Sequence, residues 1–110
     1  MSSVRSLESF LMKKYNRYMY PNIEFNPAAF RHDVSEESIR WILWHHIIDI
    51  IVEEDDENKF LVIGFDPAGN LLEVMYNIID EQTINVFHAM KCRKVFYPLL
   101  SDRRNYGSND

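Results

Sequence analysis

Residues 60–91 read "FLVIGFDPAGNLLEVMYNIIDEQTINVFHAMK", and the fold turns on how this stretch is divided. The runs "KFLVIGFD", "NLLEVMYNII" and "TINVFHAM" are rich in β-branched and aromatic side chains, which suit a pleated surface. "DPAGN" separates the first two, with Pro67 fitted to the early turn position and Gly69 to positive φ. "DEQ" separates the second and third. Upstream, "IIDIIVEE" is a further extended run, joined to Phe60 through the charged turn "EDDEN". None of these connections is long enough for a parallel crossover. The spacing therefore predicts a four-stranded antiparallel meander.

Outward from the strands, the periodicity becomes helical. "SVRSLESFLMKKYNRYMY" places Val4, Leu7, Leu11, Tyr15 and Tyr18 at three- and four-residue spacing, an amphipathic pattern that Pro21 ends. Asn26-Pro27 is a helix-start signal and predicts one short turn running through Phe30 to His32. Ser35 predicts a second start, with Glu36 and Glu37 at the positive end of the helix dipole and Val34 and Ile39 placed as a hydrophobic staple. Ile39, Ile42, Leu43 and His46 then share one face, with Trp41, Trp44 and His45 to the sides or back. After the strands, "KCRKVFYPLL" groups Cys92, Val95, Phe96 and Leu99 on one side of a short helix that Pro98 limits. The expectation is an α+β domain: N-terminal helices covering one sheet face, a four-stranded antiparallel meander, and a short C-terminal helix at an edge or end. It spans residues 1–100 as a single domain, with 1–20 as a helical extension and 101–110 as a flexible polar tail.

The single cysteine, Cys92, excludes an intramolecular disulfide and fits a reducing compartment. No apolar run approaches the length of a membrane span, and charges interrupt residues 1–20, so a cytoplasmic, membrane-free protein is expected. The net charge of −5 is unevenly distributed. Residues 1–31 carry five basic and two acidic side chains, net +3; residues 32–87 carry two and thirteen, net −11; residues 88–104 carry five and one, net +4. An acidic whole argues against nonspecific nucleic-acid binding, while the basic ends can still form a local patch.

That patch centres on "VFHAMKCRKVFY" (86–97). By strand alternation His88 lies in phase with Ile84 and Val86. It is read either as a core-edge histidine with one hydrogen bond or as a general acid or base beside Lys91 and Arg93. The cations fit phosphate binding, with Arg93 able to bind bidentately, or equally a solvated helix face paired with "EEDDE" at 53–57. Trp41 and Trp44 fit either core or a partner interface. Adjacent His45 and His46 diverge on a helix and cannot chelate as a pair there. With no CxxC or HExxH motif, no metal site or cofactor is assigned. The acids at 53–57 lack the alternating ligands and glycine of a calcium loop.

Two stretches resemble the BrnT toxin family. "FNPAAFRHDVSEES" (25–38) is similar to its opening, with Asn26-Pro27 on Asp-Pro, Arg31-His32 on Lys-His, and Val34-Ser35 on Val-Ser. "VFHAMKCRKVFY" is similar to its ending, with His88-Ala89 on Ser-Ala and Tyr97 on the closing tyrosine. Asp33 stands where the family has glycine, and Met90 where it has arginine. The resemblance implies a bacterial, RelE-like, metal-independent endoribonuclease that cleaves RNA, such as mRNA, and is neutralised by a cognate antitoxin protein. It implies His32 or His88 in proton transfer, Arg93 in phosphate chemistry, and Arg31, Lys91, Lys94 and Tyr97 in substrate binding. A non-catalytic protein-binding module of the same fold, acting through Trp41 and Trp44, is the alternative.

Overall fold

The computed structural model describes residues 21–52 and 58–101. The expected helix at 1–20, most of the charged turn (54–58) and most of the polar tail (102–110) lie outside the described residues. The four predicted strands form in order: β2 (Ile48–Ile51), β3 (Phe60–Phe65), β4 (Leu71–Asp80) and β5 (Thr83–Lys91), each antiparallel to the next. The DPAGN turn closes as read. The Asp66 carboxylate accepts from the Ala68 and Asn70 amides at 3.0 and 2.8 Å, and Gly69 takes φ +89°.

The sheet is nevertheless five-stranded and mixed, not a four-stranded antiparallel meander. Asn22–Phe25 forms β1, which pairs parallel with β5 and gives the order β1-β5-β4-β3-β2. Four residues between Pro21 and Asn26-Pro27 are too few for alternation to register, so pairing with β5 is what defines this strand. The chain then crosses from one sheet edge to the other. It passes through a 3₁₀ turn (Pro27–Phe30), capped by the Asn26 side chain, and through α1 (Glu36–Trp44). Ser35 caps α1 as predicted, its hydroxyl accepting from the Ser38 amide at 3.1 Å. The helix ends two residues earlier than its periodicity implied: Trp44 is its last residue, His45 is the C-cap, and His46 lies beyond the helix.

Strand alternation divides the core in two. Phe60, Val62, Val74 and Tyr76 meet Ile39, Ile42 and Leu43 of α1 on one face. Leu61 and Ile63 face the other way, packing with Ile48, Cys92 and the partly buried Phe96, Leu99 and Leu100. The continuous apolar run of β3 follows from burial on both faces. The C-terminal segment therefore covers the far face instead of sitting at an edge. Its helical turns also begin later than expected, as a 3₁₀ turn at Lys94–Phe96 that continues helically through 97–101. Cys92 is thus not helical; its amide donates to the Leu71 carbonyl at 2.9 Å. Among the described residues no helix is long and apolar enough to cross a membrane.

Candidate functional site

β4 alternates Leu72, Val74 and Tyr76 toward α1, which sends Leu71, Glu73 and Met75 to the far face. Glu73 is fully buried there. A carboxylate in an apolar strand requires partners, and two residues from β5 and the corner after it supply them. His88 Nε2 lies 2.7 Å from Oε2. Arg93 donates to the same oxygen from Nη2 at 2.6 Å and from Nε at 3.1 Å, and its backbone amide donates to Oε1 at 2.9 Å.

His88 reaches Glu73 because of a bulge. Met75 pairs with His88 and Tyr76 pairs with Val86, leaving Phe87 as the extra residue. Ile84, Val86 and Ala89 stay on the α1 face, and His88 lies on the far face. This overturns the alternation that put His88 in phase with Ile84 and Val86.

Burial pushes the Glu73 carboxyl up, but hydrogen bonds from the Arg93 side chain and backbone and from His88 outweigh it, so the carboxyl titrates below its ordinary range. The hydrogen bond to Glu73 raises the Arg93 guanidinium in turn. The Cys92 thiol is pushed up, first by burial and then by the Glu73 charge, which makes it a poor nucleophile.

His32 follows the 3₁₀ turn and reaches β5 past the end of β1. Its ring meets that of His88 edge-on, centroids 5.9 Å apart. The next residue, Asp33, takes φ +61°, a left-handed conformation that few side chains adopt readily. His32 also lines a cleft of about 320 Å³ on the α1 face, with Ser35, Ser38, Asp66 and Lys91.

The predicted site residues therefore separate. His88 and Arg93 bind Glu73, and His32 meets the His88 ring from the cleft. Lys91 pairs with Leu72 and turns into the cleft on the opposite face from Arg93. Arg31 is exposed at the end of the 3₁₀ turn. Lys94 and Tyr97 are exposed on the C-terminal turns. Trp41 and Trp44 are 39% and 45% exposed on the outer side of α1, and Trp41 stacks on the His45 ring at 3.8 Å. Among the described residues no group of three His, Cys, Asp or Glu side chains can hold a metal ion. Glu73 was missed by sequence reasoning. Its one signal is being the lone charge in the apolar run "NLLEVMYNII", and the bulge has no signal because both Val86 and Phe87 are apolar.

No protein-family model and no curated protein matches the chain. Among solved structures, the crystal structure of the Brucella abortus ribonuclease toxin BrnT aligns with 66% of this chain and 97% of its own, at a TM-score of 0.50. The fold is similar to that of BrnT. At 9% identity the likeness to BrnT is one of architecture. It agrees with the α+β fold expected from the order of helical and extended runs, apart from the strand and helix corrections above. Roles for individual residues do not follow from BrnT; they have to be argued from the side chains of this chain.

Proposed function

We propose that the protein is a toxin-like, metal-independent ribonuclease that cleaves RNA at the Glu73–His88–Arg93 centre with His32. The observation that carries the reading is the pair of imidazoles 5.9 Å apart, one of them bound to the carboxylate that also holds Arg93. The chemistry such a group supports is attack of a 2′-hydroxyl on the adjacent phosphate. One imidazole removes the hydroxyl proton, and the other protonates the departing 5′-oxygen. Arg93, whose side chain is 47% exposed despite its ion pair, stabilises charge building on the phosphate oxygens. The products are a 2′,3′-cyclic phosphate and a 5′-hydroxyl end. Similarity of fold to a protein described as a ribonuclease toxin supports the same reading.

Purified protein is expected to cleave RNA in the presence of a chelator, and to leave intact a substrate whose cleavage position carries 2′-deoxyribose. His88→Gln and His32→Gln should each lower the rate by about 10²–10⁴-fold. Undiminished cleavage by both variants would sink the reading. In this proposal the protein acts in the cytoplasm and is neutralised by an antitoxin protein that contacts Trp41 and Trp44. The exposure of these two indoles also supports the second reading, a non-catalytic binding module. Partner binding lost on Trp41→Ala, in a protein that never cleaves RNA, would favour that alternative.

A further inference from the structure

Glu73 is a fully buried charged residue. Besides His88, three Arg93 donors make four contacts with its two oxygens: the amide at 2.9 Å and Nε at 3.2 Å on Oε1, and Nε at 3.1 Å and Nη2 at 2.6 Å on Oε2. Arg93 has donors and no acceptors. The permanently charged guanidinium at 2.6 Å and the Arg93 amide both favour the ionised carboxylate, so Glu73 is an acceptor throughout. The His88 nitrogen 2.7 Å from Oε2 must then be the donor. A neutral imidazole carries one N–H, and with that proton on Nε2 the free lone pair is on Nδ1. Nδ1 has no hydrogen-bond partner among the described residues, and the His88 side chain is 21% exposed.

We propose that Glu73 is a positioning residue: its carboxylate keeps a proton on His88 Nε2, makes Nδ1 the nitrogen that gains and loses protons, and holds Arg93 beside it. The catalytic consequence rests on the RNA-cleaving reading above, whereas the tautomer does not. The ionisable groups around His88 are Glu73 from β4, Arg93 after β5, His32 from the turn before α1, and Cys92 beside the carboxylate.

The substitution Glu73→Gln makes the assignment testable. A carboxamide has one acceptor oxygen, and the Arg93 backbone amide, which cannot rotate aside, holds it at the Oε1 position. Its NH₂ then takes the Oε2 position, displaces Arg93 Nη2 and faces His88 Nε2, which must accept, and the proton moves to Nδ1. Two-bond ¹H–¹⁵N correlation spectra of the full chain, with His88 assigned by comparison with His88→Gln, read the tautomer directly. Wild type is expected to show Nε2–H with an unprotonated Nδ1, and Glu73→Gln to show Nδ1–H. Nδ1–H in the wild type, or an unchanged tautomer in Glu73→Gln, overturns the proposal. Should Glu73→Gln fail to fold, the wild-type spectrum still decides.

In the cleavage assay Glu73→Gln should lower kcat about a hundredfold with KM unchanged, and Glu73→Asp should restore part of it. A wild-type protein with the Nε2–H tautomer and no cleavage sinks the ribonuclease reading and leaves the role of Glu73 standing. Cleavage with the opposite tautomer sinks the role of Glu73 alone.

Discussion

At the scale of single residues, Glu73 and Asp33 occupy positions that cost free energy unless something compensates. Glu73 is buried, and its partners lie 15 and 20 residues away in the chain. Its carboxyl titrates below the ordinary value of 4.5, so the folded state binds fewer protons here than the unfolded state as the pH falls. The sign follows: the stabilisation is complete above about pH 4.5 and is lost as the pH drops through the lower folded value. Asp66, lowered chiefly by the Asn70 amide, adds to the same slope. Urea midpoints measured between pH 7 and pH 3 should hold steady as far as pH 5 and then fall. Glu73→Gln should show the shallower fall, because glutamine has no proton to gain. Asp33 compensates differently. Its left-handed φ of +61° is sterically costly for most side chains, and aspartate is among the few that adopt it readily.

At the scale of elements, the bulge at Phe87 and the close approach at Gly64 decide where side chains point. Strict alternation from Ile84 puts His88 with the core. One unpaired residue reverses that and aims the imidazole at Glu73. No local feature of "NVFHAM" distinguishes the two, since the bulge is set by pairing with β4. Gly64 sits in β3 where the end of α1 crosses over it. A Cβ there would lie 2.9 Å from the His45 carbonyl oxygen and 3.0 Å from the His46 Cα. Both contacts are backbone and cannot rotate aside. Gly64→Ala should therefore destabilise the fold by about 1–3 kcal/mol, read as a lowered urea midpoint at unchanged slope.

At the scale of the whole molecule, burial on both sheet faces is the organising fact. A sheet covered only by α1 would leave Leu61 in water, and its truncation would matter little. Here Leu61 is 1% exposed beneath the C-terminal turns, and Ile42 of α1 is fully buried on the other side. Leu61→Ala and Ile42→Ala should each cost about 2–5 kcal/mol, as cavities in two separate cores. Denaturant unfolding of both variants checks this, and a loss below about 1 kcal/mol for Leu61→Ala would contradict two-sided packing.

Local chemistry settled much of the architecture. Asn26 and Ser35 marked helix starts because their side chains cap amides within three residues. The strand runs and the turns at 66–70 and 80–83 were legible for the same reason: turn residues and β-branched runs act over a few positions. The identity of β1 as a parallel edge strand, the far-face packing of the C-terminal turns, the bulge, and the meeting of Glu73 with His88 and Arg93 came only from tertiary structure. Each of these depends on contacts between segments distant in the chain, and a pattern read along one segment contains no information about which distant segment will pair with it.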